Sequence, residues 1–396
     1  MYLVWRNTIQ SPSTLNWENW KFFEWLINYQ GGFVRRGLVG EVIHRYFYEN
    51  EIQAVNYLVF VLGGMFVVFS SAVALTLKDS AQATLLYIFA PTGYFGIIVS
   101  NQYYYNREIF FYLSLFLVTF LFLSWRKYHL TILRTAILAV ISASSMVLPL
   151  IHEGFLFCCG LYFSLVLNAV LKERLDSKQL RMVLCLFVGF HIVVFILLAI
   201  FKGNGSQALS IWSSLSVTAK TFMAKGEMSG AIAAIGWSIV EGLSKSVRAI
   251  LSGFGMYYVL PLALVFLIVG YIHSCVRGID LWLTYQNPKF WANFATVCLT
   301  FFPLFVLGDD FGRWIVGIFV VFSTMIIFDL TVHLPVNIFT ARIQSEQSRK
   351  RIYFCILLVM SLLIIVPECC MGRLHGINKS YWAFIQNKLL YSNSIK

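Results

Sequence analysis

Four short segments hold most of the residues able to do chemistry. Gly31-Gly-Phe-Val-Arg-Arg-Gly-Leu-Val-Gly-Glu41 sets two adjacent guanidiniums among four glycines. A guanidinium offers a planar fork that matches phosphate oxygens, and glycine lets backbone approach closely. On a helix, Arg35 and Arg36 would point about 100° apart, so only one need face a site. Asn101-Gln-Tyr-Tyr-Tyr-Asn-Arg-Glu108 puts rings and amides beside Arg107. Rings such as Tyr104 cover apolar sugar faces while amides bond hydroxyls, and the same residues equally suit an interfacial aromatic belt. His152-Glu-Gly-Phe155 reads as a tight turn that needs neither His152 nor Glu153 for its shape. Glu153 can act as a general base, or as an acid favoured by the dipole of the next helix. In Gly308-Asp-Asp-Phe-Gly-Arg-Trp314, Asp309 and Asp310 precede Arg313 by four and three residues, the spacing of a helical ion pair. An adjacent Asp pair is too weak a signal to predict a metal, and no cofactor is expected.

These segments are punctuation between apolar spans. Of the 396 residues, 59% are apolar and 12% are charged, and the mean hydropathy is +0.74. A soluble domain carries about 25% charged residues, so an ordinary cytosolic enzyme and a disordered chain are both excluded. Apolar runs near the length of a membrane-spanning helix (about 20 residues) fall at roughly 53–77, 83–100, 108–125, 131–151, 154–171, 182–201, 255–276, 290–307, 314–334 and 352–371. Each must be helical, because lipid offers no partner to an open backbone. The expected fold is therefore all-α, a polytopic transmembrane bundle of about 10–11 spans forming one integral membrane domain over 1–396.

The net charge of +12 does not indicate nucleic acid, because the basic residues are dispersed among short loops. One set of loops carries 14 Lys/Arg against five acids, among them Arg126, Lys127, Lys172, Arg174, Arg349 and Lys350. The positive-inside rule assigns that set to the cytoplasm. All four chemical segments then fall on the opposite, extracytoplasmic face, with residues 1–52 and a long loop at 202–254. An N-terminal segment outside with no span ahead of it implies a chain that begins late, or a tail translocated unaided; a missing or mis-assigned start is the favoured expectation. Within the long loop, 207–224 and 230–251 mix apolar and polar residues at helical spacing, so two amphipathic helices are expected at the outer membrane surface. Six of the eight cysteines lie inside apolar spans, and no Cys spacing suggests a disulfide framework or a metal centre. The spans carry few ionisable residues, which counts against an ion-coupled carrier.

A polytopic chain of this length, rich in Phe and Tyr, with outer-face arginines and one large outer loop, resembles the bacterial O-antigen polymerases (Wzy), membrane enzymes akin to the GT-C glycosyltransferases. The Gly31–Glu41, His152–Phe155 and Gly308–Trp314 segments look like motifs of that group. The resemblance implies an inner-membrane protein with its site on the periplasmic face. It would join oligosaccharide repeat units carried on undecaprenyl diphosphate, amid membrane lipids and with a chain-length regulator protein as a further partner. Arg35, Arg36, Arg107 and Arg313 would hold the diphosphate, with Asp310 and Tyr104 also contacting substrate. Glu153, then Asp309, would take the acceptor proton, with His152 orienting either, and the long loop would close as a lid. Two alternatives stay open: a GT-C enzyme using a polyprenyl-phosphate sugar, which would carry an acid in the first outer loop, where Glu18, Glu24 and Glu41 lie; or a lipid-linked saccharide flippase or transporter.

Overall fold

The computed structural model describes residues 19–77, 80–90, 106–221, 227–249, 255–307, 311–328, 330 and 347–363. Described secondary structure is entirely helical. In chain order the helices are α1 (Asn19–Glu24), α2 (Leu38–Phe47), α3 (Glu51–Thr76), α4 (Ala81–Phe89), α5 (Ile109–Tyr128), α6 (Thr131–Ile151), α7 (Phe155–Leu171) and α8 (Ser177–Ile200). They continue as α9 (Gly205–Ser214), α10 (Val217–Lys220), α11 (Gly230–Ala233), α12 (Ile239–Ala249), α13 (Gly255–Arg277), α14 (Leu281–Gln286), α15 (Pro288–Leu307), α16 (Phe311–Ile327) and α17 (Gln347–Leu363). A 3₁₀ turn at Ala234–Gly236 follows α11.

Six of these helices are long and apolar enough to cross a membrane, and α7 and α16 are shorter apolar helices. Within the described residues, the apolar runs thus become helices close to their expected positions. Helix α8 shows why a bilayer is needed. Only His191 and Leu198 are buried along it, while Leu186, Val188, Ile192, Val193 and Ile196 are exposed. A helix with aliphatic side chains on its open faces is stable against lipid rather than water. Its start is fixed by a capping box, in which Asp176 accepts the Lys178 and Gln179 amides and the Gln179 side chain accepts the Asp176 amide.

By their contacts the residues of the chain group into two compact units. One comprises 1–69 and 104–242, the other 70–103 and 243–396. In the first, α5, α6, α7 and α8 pack on one another. Ser114 and Ser144 share a hydrogen bond of 2.7 Å, Thr119 bonds the Tyr162 hydroxyl, and Phe66 and Phe69 of α3 meet Phe116. In the second, α16 lies at the centre, packed on α13 and α15, and nearly all its side chains are buried. Phe266 anchors an aromatic cluster there with Tyr285, Phe290, Trp291 and Phe294.

The long loop departs from the two expected helices. The first breaks at Leu215, because the Ser216 hydroxyl turns to cap α10. The second breaks after Gly236, where Trp237 is extended. The loop is docked against the N-terminal segment. Arg35 donates its amide to Phe201 O at 2.8 Å, Asn28 Nδ2 donates to Ser214 Oγ at 3.0 Å, and the Ser216 hydroxyl bonds Glu51. Phe23 packs on Trp212, and Trp20 on Trp237.

Candidate functional site: a buried arginine–glutamate–histidine cluster

The described residues of three of the four sequence segments, 31–41, 106–108 and 152–155, converge at one end of the first unit. The 31–41 segment makes this possible through two close approaches. A Cβ on Gly40 would lie 2.0 Å from Ile27 O, and one on Gly31 would lie 2.7 Å from Gln207 O. The glycines therefore let α2 fold back on the 25–29 turn and let that turn touch α9. The Glu41 carboxylate completes the fold-back by accepting the Tyr29 amide at 2.9 Å.

Arg35 and Arg36 are not on a helix, and this corrects the expectation that only one faces the site. Arg36 takes a left-handed backbone conformation, φ 67°, which costs a non-glycine residue on the order of 1–3 kcal/mol. With the chain so turned, both side chains reach Glu153. Arg36 Nε donates to Glu153 Oε2 at 2.8 Å and Nη2 to Oε1 at 2.5 Å, a two-bond fork. Its third donor, Nη1, reaches Glu24 Oε1 at 3.0 Å. Arg35 Nη1 lies 3.2 Å from Glu153 Oε1. Glu153 does not cap α7: the N-cap is Gly154, without a side-chain bond. Burial pushes the Glu153 carboxyl up, but Arg36 and Arg35 more than reverse this and hold it well below the usual carboxylate range.

His152 is buried beside it. Its Nδ1 accepts the Gly154 amide at 3.0 Å, so in the neutral ring the proton sits on Nε2. That nitrogen faces Glu108 Oε1 at 3.6 Å and Glu24 Oε1 at 3.8 Å. Burial, reinforced by Arg36, pushes its pKa down to about 4. His152 is therefore neutral near pH 7, with its proton directed at two acids.

Arg107 lies beneath, fully buried, with its cationic carbon 5.8 Å from the centre of the Trp25 ring. Its Nη1 donates to Arg36 O at 2.5 Å and to Ile151 O at 3.0 Å, tying the left-handed turn to the end of α6. Its Nε and Nη2 have no hydrogen-bond partner among the described residues, and neither does either side-chain polar atom of the buried Asn106. Burial lowers the Arg107 pKa to about 10, so it remains charged at neutral pH.

Arg35, Arg36, Arg107, His152 and Glu153 are thus brought together as a group. Arg313 is buried in α16 of the second unit. Tyr104, Asp309 and Asp310, with the expected Asp–Arg pairing at 309–313, lie outside the described residues. The structure adds Glu24, Glu108 and Asn106. Glu24 was legible only as one of three acids in its region. Glu108 and Asn106 flank Arg107 in sequence, which was their only signal. Three arginines then face three glutamates and a neutral histidine. Among the described residues no group of His, Cys, Asp and Glu is placed to hold a metal.

Apolar spanning helices in two units make this a polytopic helical membrane protein, with a buried ionic cluster at the end of one unit. More narrowly, it belongs to the family of uncharacterised membrane proteins Rv1490, whose profile matches residues 3–219 and so takes in the whole cluster. Comparison with curated proteins and with solved structures found no match.

Proposed function

We propose that the protein is a membrane glycosyltransferase acting on a polyprenyl-linked saccharide, and that the cluster around Arg36 and Glu153 is its active site. One observation carries the reading: half-buried and buried guanidiniums, buried carboxylates and a tautomer-fixed histidine from four separate stretches of chain meet at one end of a helical unit. Apolar packing would generally be as stable as such an ionic network or more so. Perturbed titratable groups gathered in this way are typical of functional sites.

The groups suit displacement at an anomeric carbon. The acceptor hydroxyl attacks that carbon, the bond to the phosphate oxygen breaks, and its electron pair stays on the departing polyprenyl phosphate or diphosphate. Arg35 and Arg36 stabilise that charge. The acceptor proton passes to a carboxylate, for which Glu153 is the first choice. In the resting arrangement Glu153 is a poor base, because two arginines stabilise its ionised form. An incoming phosphate competes for those arginines and leaves burial to dominate, which raises the affinity of Glu153 for a proton. Donor binding thereby switches on the base. Neutral His152, donating from Nε2, orients Glu24 and Glu108.

The reading extends to the polymerase type, with undecaprenyl-diphosphate-linked repeat units as both donor and acceptor, an extracytoplasmic site in a bacterial inner membrane, and no nucleic acid. The presence of Glu24 in the cluster favours a second reading, transfer of one sugar from a polyprenyl monophosphate, because enzymes of that kind carry an acid in the first outer segment. Purified protein in lipid nanodiscs, given each donor in turn, separates the two. A ladder of lengthened glycans from the diphosphate donor supports the polymerase; a single addition from the monophosphate supports the second reading. Turnover of neither, with the protein folded, rejects both.

A further inference from the structure

The arginines of the cluster are not equivalent. Arg36 spends all three of its donor nitrogens on Glu153 and Glu24, and Arg35 reaches Glu153. Arg107 alone is fully buried while forming no ion pair among the described residues. Its Nη1 is held by two carbonyls, which fixes the plane of the guanidinium. The edge that remains, Nε and Nη2, is the pair of parallel donors that takes two oxygens of one oxyanion. Asn106, the preceding residue, buries an amide whose donor is also unmet. Both stand at the start of α5, a 20-residue helix whose dipole and terminal amides favour negative charge. Buried polar groups are nearly always bonded, so the open donors of these two adjacent side chains are ones that a ligand can meet.

We propose that Arg107 and Asn106 form a preformed phosphate site that receives the phosphate of a polyprenyl-phosphate lipid. This deepens the transferase reading, on which it rests for the identity of the lipid, by separating two tasks. Arg107 docks one phosphate before reaction, without breaking any existing ion pair. Arg36 then exchanges Glu153 for the same docked phosphoryl group, and that exchange switches on the base. The ligand is an oxyanion such as phosphate rather than a neutral sugar hydroxyl, because the open edge offers two parallel donors and a hydroxyl fills only one of them. It is lipid-borne because α5 and α6, which bracket the site, are each long and apolar enough to cross a membrane, and the ends of helices of that length fall near the headgroups.

Calorimetric titration of the full chain in nanodiscs tests this, with undecaprenyl phosphate, undecaprenol and inorganic phosphate as probes. Undecaprenyl phosphate should bind at least tenfold more tightly than undecaprenol. Arg107→Lys, which keeps the charge and can still meet the two carbonyls but has no fork, should weaken binding at least tenfold. Asn106→Asp should weaken it comparably by placing like charge at the site. If Arg107→Lys fails to fold, Asn106→Asp decides, because the Asn106 side chain has no described partner to lose. Equal binding of lipid phosphate and undecaprenol, or undiminished binding in both variants, would overturn the proposal. Inorganic phosphate binding as tightly as the lipid would reassign the site to a free anion and overturn the lipid assignment. Phosphate-lipid binding that depends on Arg107, in a protein that transfers no sugar, would sink the transferase reading and leave the site standing. Sugar transfer with Arg107-independent binding would do the reverse.

Discussion

Glu153 carries two guanidiniums, and its removal should be felt in stability before it is felt in chemistry. Breaking a fully buried ion pair on one side costs about 3–5 kcal/mol, but Arg35 and Arg36 keep side-chain exposures of 32% and 24%, so water recovers part of that loss. Glu153→Gln should therefore lower the thermal midpoint, and Glu153→Gln combined with Arg36→Gln should recover part of the loss. Additive losses across that cycle would mean the pair contributes nothing. His152 sets a different signature. Its folded pKa of about 4 lies below the ordinary value of 6.5. Between those values the unfolded chain holds a proton that the native state lacks. Stability therefore falls as pH drops from 6.5 to 4, by about 3 kcal/mol in total, and this group adds no further change below. The Glu153 contribution is lost only at lower pH still, as the medium falls through its depressed pKa. Unfolding measured across this range should show the slope from pH 6.5 to 4 in the wild type and lose it in His152→Gln. An unchanged slope would show that His152 is not buried and neutral.

At the scale of elements, the glycines of the 31–41 segment decide whether the arginines reach their partners. Gly40→Ala forces a Cβ to within 2.0 Å of Ile27 O, a backbone atom that cannot swing aside. The expected cost is about 1–3 kcal/mol as α2 lifts off the 25–29 turn, seen as a lower thermal midpoint and faster proteolysis near residue 40. Wild-type stability in Gly40→Ala would place α2 elsewhere. The spans were legible from sequence because runs of about 20 apolar residues have one solution in lipid. The breaks in the long loop were less so: Ser216 and Gly236 end helices that the apolar spacing alone would continue. The turn at Arg36 was illegible, because a non-glycine residue with positive φ is held there by Glu153, Glu24 and Arg107, each distant or unremarkable in sequence. Which residues met was settled by tertiary packing: positions 36, 107 and 153 are separated by dozens of residues, and no local pattern links them.

For the whole molecule, the charge of the loops predicts their sidedness. Ser210 in α9 and Lys178 in the first turn of α8 are exposed, and loop charge assigns them to opposite faces. In a cysteine-free background, Ser210→Cys should react with an impermeant reagent added outside intact cells, and Lys178→Cys should react only after lysis. The opposite pattern would turn the cluster toward the cytoplasm. The central claim, that the cluster performs glycosyl transfer on a lipid-linked saccharide, is tested most directly by the nanodisc assay applied to Arg36→Lys. Lysine keeps the charge but cannot form the two-bond fork. The wild type should convert undecaprenyl-diphosphate-linked oligosaccharide into longer glycans, and folded Arg36→Lys should lose most of that activity. Wild-type product lengths from Arg36→Lys would contradict the claim.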